Sequence, residues 1–508
     1  MAEFMLGIDS GGTAVKVAVI ASDGTEVAVR GTTHPAITPK PGHAERDPER
    51  VWRCLGADIH KVLADAGISG EDVDGIGVTG YGNGLWLVDE AGHAVMNGVL
   101  TLDLRAASLC TAWRNEEQDE ATRRRRAHAA AWPGKPMPLL AWLHRHAPDT
   151  IARGRFALSS KDFLRARLTG RVAGEVSDQS SGGFSPVQSR RNEPAMMECV
   201  GLGDLVRLMP PLLEPMDIAG EVTAEAADLT GLRAGTPVSA GCSDNLAVML
   251  GTAAIGPDDV VVMAGTWGLH QCFLSELPAD ETAIFLTHGL VPGSWLAIEG
   301  SPTSAGQLDW FVERFIRSQR PDIADDVLFA EINAAVAPLD PAAPPIFFFP
   351  YLNGAMDQSS ARASLIGMTN WHGLPHTVRG VMEGIAFEHR RHFDRLAALR
   401  GRPSAARFAG GAARSVPWRE IFAAALNLPL VLPAGRELGA LGAAILASVA
   451  IGRHPDLASA VAAMTRTVGE VQPDRALAGL LDRRYRIWRN LARALAPHWD
   501  EVIDGGGA

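Results

Sequence analysis

The segment Asp9-Ser10-Gly11-Gly12-Thr13 brings a carboxylate, two hydroxyls and two glycines into one short stretch. Glycines let backbone N–H groups crowd around an anion, and hydroxyls add donors. A carboxylate beside such a nest suits a hydrated Mg²⁺. The chemistry this pattern serves is the binding of a nucleotide phosphate. A second acidic residue stands apart. Val238-Ser239-Ala240-Gly241-Cys242-Ser243-Asp244-Asn245 delivers Asp244 at the end of an apolar run, directly before helix-like sequence. A carboxylate at a strand end facing a cleft is well placed for chemistry.

Two rival readings of the first segment fail. It is not a P-loop, because no Gly-Lys-Ser/Thr follows and the next element is strand-like. It is not the nucleophile loop of a serine protease, because the residues before it supply no His or Asp partner. An ordinary Gly-rich turn is the alternative for this segment. For Asp244 the alternative is a helix N-cap.

The elements that would carry these residues follow from hydrophobic patterning. Phe4 to Ile8 and Ala14 to Ile20 are apolar runs on either side of the turn, which predicts a β-hairpin. The same plan recurs later. Val260 to Ala264 is β-rich, Gly265-Thr266-Trp267-Gly268 follows, and Leu269 to Leu274 returns as a strand. Strand, Gly-Thr turn, strand therefore opens each half, which suggests two similar lobes gripping one phosphate chain from opposite sides. Asp47-Pro48-Glu49 starts a helix that stops near Gly67. Ile76 to Thr79 reads as a strand, Gly80-Tyr81-Gly82-Asn83-Gly84 as a loop, and Leu85 to Val88 as a strand. A third Gly-rich turn, Gly410-Gly411-Ala412-Ala413-Arg414-Ser415, follows a short strand, and Ser415 can cap the next helix. Leu428 to Leu432 reads as a strand, and the small-residue helix after Glu437 reads as packing.

The chain has 508 residues, 47% hydrophobic and 21% charged, the composition of a globular protein with several domains. A net charge of −11 argues against a nucleic-acid partner. The run Arg123 to Arg126 reads as a solvated helix face. Five scattered cysteines form no metal-type pair and suggest free thiols in a reducing compartment. The start shows no signal-peptide pattern, and the run Leu438 to Ile451 is too short to span a bilayer. The expected setting is the cytoplasm, with no membrane partner.

Taken together, these features resemble the FGGY family of carbohydrate kinases. The resemblance is carried by the Asp9-to-Thr13 turn, Gly80 to Gly84 with Asp103-Leu104-Arg105, and the Gly241-to-Asn245 segment. It continues through Gly265-Thr266-Trp267, Glu299-Gly300 to Gly306-Gln307, and Gly410 to Ser415. It implies an α/β protein of two actin-like, ribonuclease-H-like domains, 1–240 for the sugar and 241–495 for the nucleotide, with the catalytic cleft between them. It also implies ATP and Mg²⁺. Asp244 matches the general base, and Asp9 the residue that holds Mg²⁺. Gly11, Gly12, Thr13, Lys16, Gly265 and Thr266 match phosphate contacts. Gly306, Gln307, Gly410, Gly411, Ala412 and Arg414 match the nucleotide site. Asn83, Asp103, Arg105 and Asn245 match sugar contacts. A homodimer is compatible with the resemblance, which leaves the oligomeric state open.

Some positions depart from the family pattern. Lys16 stands where several relatives carry Arg. Leu139 stands where Lys is common. Gly134 and Thr101 fall where glycerol kinases place aromatic residues, which weakens a glycerol assignment. With Gly82 and Gly84 they are expected to leave a roomy, polar pocket. The Gly80-to-Gly84 loop, Asp103-Leu104-Arg105 and Ser301-Pro302-Thr303-Ser304 look most like the L-xylulose kinase branch. The expected substrate is a pentulose such as L-xylulose, phosphorylated at a primary hydroxyl, with erythritol or D-xylulose as alternatives. From another class, the alternative is a non-catalytic actin-like sugar-sensing protein.

Overall fold

In the computed structural model, which describes residues 4–115, 122, 132–279, 284–355 and 358–504, the chain forms two compact units. The first comprises Met1–Ile255, Phe273–Leu296 and Gly435–Arg466; the second comprises Gly256–Cys272, Ala297–Ala434 and Thr467–Ala508. The run Arg123 to Arg126 lies outside the described residues. Among the described residues no helix is long and apolar enough to cross a membrane.

Each unit is built on a mixed sheet, and the two sheets share one succession of pairings. In the first, Ile218–Glu221 pairs antiparallel with Pro237–Ser239, which runs parallel to Val73–Gly80. Val73–Gly80 runs parallel to Phe4–Ser10, which turns back antiparallel into Ala14–Ala21. In the second, Thr467–Val471 pairs antiparallel with Leu430–Pro433, which runs parallel to Ala406–Ala409. Ala406–Ala409 runs parallel to Val260–Ala264, which turns back antiparallel into Gly268–Leu274. Both expected hairpins are present, and each opens a sheet of the same topology.

Alternation along the strands sets the two faces of the first sheet. Leu6, Ile8, Ile76 and Val78 enter one apolar core with Val51, Leu55 and Ile59 of the helix Pro48–Ala66. That helix starts at Asp47, whose side chain accepts from Glu49 and Arg50 N–H, and ends at Gly67 with φ of 68°. The opposite face carries Gly7 and Gly77. A Cβ at either would overlap the carbonyl of Ala440 or Ala443 in the helix Leu438–Ala450. This late helix therefore lies directly on the first strands. Its close approach explains why glycine stands at both strand positions.

Candidate active site

The first turn is held from beneath. Arg46, 2% exposed, donates to the carbonyls of Gly11, Gly12 and His34. In a planar trans peptide the C=O and N–H point opposite ways. Drawing the Gly11 and Gly12 carbonyls towards Arg46 therefore turns the Gly12 and Thr13 N–H groups away from it. Gly12 and Thr13 are exposed. Arg46 was not singled out in the sequence, where it reads as one of several charges before a helix.

Asp9 is the next-to-last residue of the first strand and lies on the face covered by Leu438–Ala450. Its Oδ1 is buried without a hydrogen-bond partner. Burial pushes its pKa up to about 6, with Lys16 opposing and Glu437 adding to the rise. Lys16 donates to Glu437 at 2.8 Å. Glu437, which ends the loop before the late helix, thus belongs to this site. Its sequence context gave no sign of that, because the contact comes from tertiary packing.

Asp244 begins the helix Asp244–Gly251. The turn before it is fixed at two points. Thr79 Oγ1 donates to the Cys242 carbonyl at 2.7 Å, and Ser243 N–H donates to Ser177 Oγ at 3.2 Å. Gly241 has φ of 74° and packs on the Val78 backbone, so a side chain is excluded there. Burial, with the negative charge of Asp9 next, pushes the Asp244 pKa up to about 8. Asn245 N–H donates to Asp244 Oδ1 at 2.7 Å. Asp244 is the first helical residue, and its cap position is taken by Ser243.

Behind this turn lies a buried ionic cluster that sequence reading missed. Lys161 Nζ stands 2.7 Å from Asp162, 3.0 Å from Asp178 and 3.5 Å from Glu175. Arg165 pairs with Asp162 at 2.7 Å and donates to the Ala240 carbonyl at 2.8 Å. Ser177 Oγ donates to Glu175 at 2.6 Å, so the cluster reaches the Asp244 turn through one hydroxyl.

The expected sugar residues Asn83, Asp103 and Arg105 are held by two separate sets of contacts. Asn83 adopts φ of 65°, and Ser181 Oγ donates to its Oδ1 at 3.2 Å. Asp103 is fully buried and accepts from Ala44 N–H, Arg105 N–H and the Arg105 guanidinium. Arg105 also pairs with Glu45 at 2.7 Å and lies 5.2 Å over the Trp142 ring. Both Asp103 oxygens are thus occupied within the protein, where they orient Arg105. The roomy pocket needs correction. A Cβ on Gly134 would overlap the Thr101 carbonyl. Gly84 has φ of 74°, and a Cβ there would stand 2.6 Å from the Val99 carbonyl. These glycines permit close backbone approach and do not open space.

In the second unit the expected nucleotide residues come together. A Cβ on Gly306 would stand 3.3 Å from Thr266, and one on Gly410 would stand 2.8 Å from Gly265 N. Gly410 has φ of 97°, which only glycine adopts readily. Gly411 and Ala412 continue this turn, where Ala412 is buried and Arg414 exposed. Ser415 caps the following helix through Trp418 N–H, as expected. Gln307 donates to the Pro302 carbonyl at 3.0 Å, and its Oε1 is buried.

In the first unit a glycine-turn hairpin lies beside two carboxylates of raised pKa, and the second unit repeats the hairpin on a sheet of the same pairing order. The N-terminal domain model of the FGGY family of carbohydrate kinases matches residues 4–251, and the C-terminal domain model matches residues 260–451. The chain belongs to this family and is a carbohydrate kinase. It is 30% identical to the L-xylulose/3-keto-L-gulonate kinase of Escherichia coli, over 97% of this chain and 98% of that one. It is 28% identical to the erythritol kinase of Brucella abortus, over 99% and 98%. The crystal structure of a xylulose kinase from Rhodospirillum rubrum superimposes with a TM-score of 0.84 at 27% identity, covering 98% of this chain and all of the other.

Proposed function

We propose that this kinase transfers the γ-phosphoryl group of ATP to a primary hydroxyl of a small linear sugar, a pentulose such as L-xylulose, with Asp244 as general base. The observation that carries the reading is Asp244 itself. Its pKa, pushed up to about 8 by burial and by Asp9, suits a proton acceptor working near neutrality. The sugar oxygen bonds to phosphorus as the bond to the β-phosphate oxygen breaks. The hydroxyl proton goes to Asp244, and ADP leaves. The first unit takes the sugar and the second the nucleotide.

Asn83 and Arg105 orient the sugar, with Asn245 beside the base. Gly11, Gly12 and Thr13 offer donors to the phosphates from one hairpin, and Gly265 and Thr266 from the other. Gly306, Gln307, Gly410, Gly411, Ala412 and Arg414 surround the nucleoside. Among the described residues no three His, Cys, Asp or Glu converge on a metal site. Mg²⁺ in kinases needs no such cage, only one or two carboxylates with water and phosphates. The unpartnered Oδ1 of Asp9 fits that mode. Mg²⁺ bound there would supply positive charge to the phosphates, and the Lys16 charge favours the ionised Asp9 carboxylate that would hold it.

The pentulose choice is supported by the likeness to the L-xylulose/3-keto-L-gulonate kinase. A screen of sugar-dependent ADP release with L-xylulose, D-xylulose, erythritol and glycerol tests it. The highest kcat/KM is expected with L-xylulose. A preference for erythritol or D-xylulose would move the assignment to those kinases. ATP binding without sugar-dependent turnover would favour a non-catalytic sensor.

A further inference from the structure

The second unit holds a line of buried polar side chains that the reading above leaves unused. Ser304 Oγ lies 2.7 Å from His389 Nε2, and His389 Nδ1 lies 3.1 Å from His270 Nε2. All three residues are at most 1% exposed. They join three elements: the strand Gly268–Leu274, the residue before the helix Ala305–Phe315, and the helix Leu374–Arg400.

The line lies directly under the second hairpin turn. A Cβ on Gly268, which closes that turn, would stand 2.8 Å from His389 Nε2. Ser304 precedes Gly306, whose Cα packs against Thr266. Serine before a helix usually bonds an N–H of the first turn, but the Ser304 hydroxyl makes no such bond. It is turned to His389 instead. Burial, with His392 next, holds the His389 pKa down at about 3, and burial keeps His270 well below its ordinary range. Both rings are therefore neutral, with one N–H each. The bonds run in one sense along the line, which fixes its geometry.

We infer that His389 is a positioning residue for the nucleotide, holding Ser304 and the Gly265–Gly268 turn in register so that Thr266 meets the phosphates while Gly306 meets the nucleoside. This rests on the assignment of the nucleotide to the second unit. His389 touches no reacting atom in this account; it acts through Ser304.

The test uses the full chain and two kinds of variant. Ser304→Ala removes one hydroxyl, and His389→Leu removes the ring. His389→Gln keeps a polar atom near Nε2. Calorimetric binding of ADP and of a pentulose, each alone, is compared with steady-state kinetics. Expected are roughly tenfold weaker ADP binding and a matching rise in the KM for ATP in Ser304→Ala. Pentulose binding should be unchanged, and His389→Gln should recover most of the loss that His389→Leu causes. ADP binding at the wild-type level in Ser304→Ala would overturn the inference and leave the proposed function standing. Equal loss of ADP and pentulose binding would also overturn it, because it would reveal a purely structural role. No ADP binding by the unaltered protein would instead remove the nucleotide assignment on which the inference rests.

Discussion

The carboxylate of Asp9 lies against the Cα of Gly439: a methyl group on Gly439 would stand 3.1 Å from Asp9 Cγ and overlap Oδ2. The obstacle is the end of a side chain, so the carboxylate would give way before the backbone does. Alanine is also a better helix former than glycine, by about 1 kcal/mol. Gly439→Ala should therefore keep or raise the melting temperature while lowering kcat by roughly tenfold and raising the Mg²⁺ requirement. Thermal scans with Mg²⁺ titrations of activity check this. Normal activity would show that the position of Asp9 is not critical.

Asp244→Asn keeps the shape of the side chain and removes the proton acceptor. The expected loss in kcat is on the order of 10²–10⁴, with ATP affinity little changed. The pH dependence has a definite sign. Asp244 must be ionised to accept a proton, so kcat/KM should rise with pH towards about 8. Removing the Asp9 charge lowers the Asp244 pKa, so Asp9→Asn should shift this limb to lower pH.

Stability follows the opposite trend. A carboxyl whose folded pKa exceeds its unfolded value holds more protons in the folded state, so its contribution to stability falls as pH rises between the two values. For Asp244 that window runs from the ordinary carboxylate range to about 8. Asp244→Asn should melt roughly 2–4 °C above the unaltered chain at pH 8 and show a smaller difference at pH 5. An unchanged or lower melting temperature at pH 8 would contradict the burial and the Asp9 charge that raise this carboxyl's pKa.

Ser181 and Ser177 stand one turn apart on the helix Val176–Gly182. One bonds Asn83 and the other receives Ser243 N–H. Ser181→Ala should loosen Asn83 alone, raising the pentulose KM by about fivefold and leaving the ATP KM unchanged. Asp103→Asn should act differently. Its carboxylate serves Arg105 and Ala44, so the loss should be similar for every sugar tried. A larger loss with the pentulose than with glycerol would return Asp103 to direct substrate contact.

The legible part of this protein was local. The Asp9 turn and the Gly265 turn could be found because each lies between two apolar runs of strand length. The helix after Asp47 announced both its ends through an acid cap, a proline and a glycine. Asp244 stood out because an apolar run stops there. Glu437 and Gly439 did not, since nothing near them in sequence indicates that they meet Asp9 and Lys16. The Lys161 cluster was hidden for a related reason. Its members lie in the helix Ser160–Thr169 and at the start of the helix Val176–Gly182, and only burial distinguishes them from surface charges. Gly134 misled because a glycine required by a close backbone approach looks the same in sequence as one that opens space.

The helix Leu438–Ala450, seated on Gly7 and Gly77, gives the first unit an unusual order of assembly. On the ribosome, the strands Phe4–Ser10 and Val73–Gly80 emerge early, and the helix that covers one face of them emerges only after the Gly265 and Gly410 turns of the second unit have been made. Until then a nascent chain presents a bare sheet face to solvent or to a chaperone. The first unit cannot be completed while that face is open, so its assembly waits on the synthesis of a segment that follows most of the second unit.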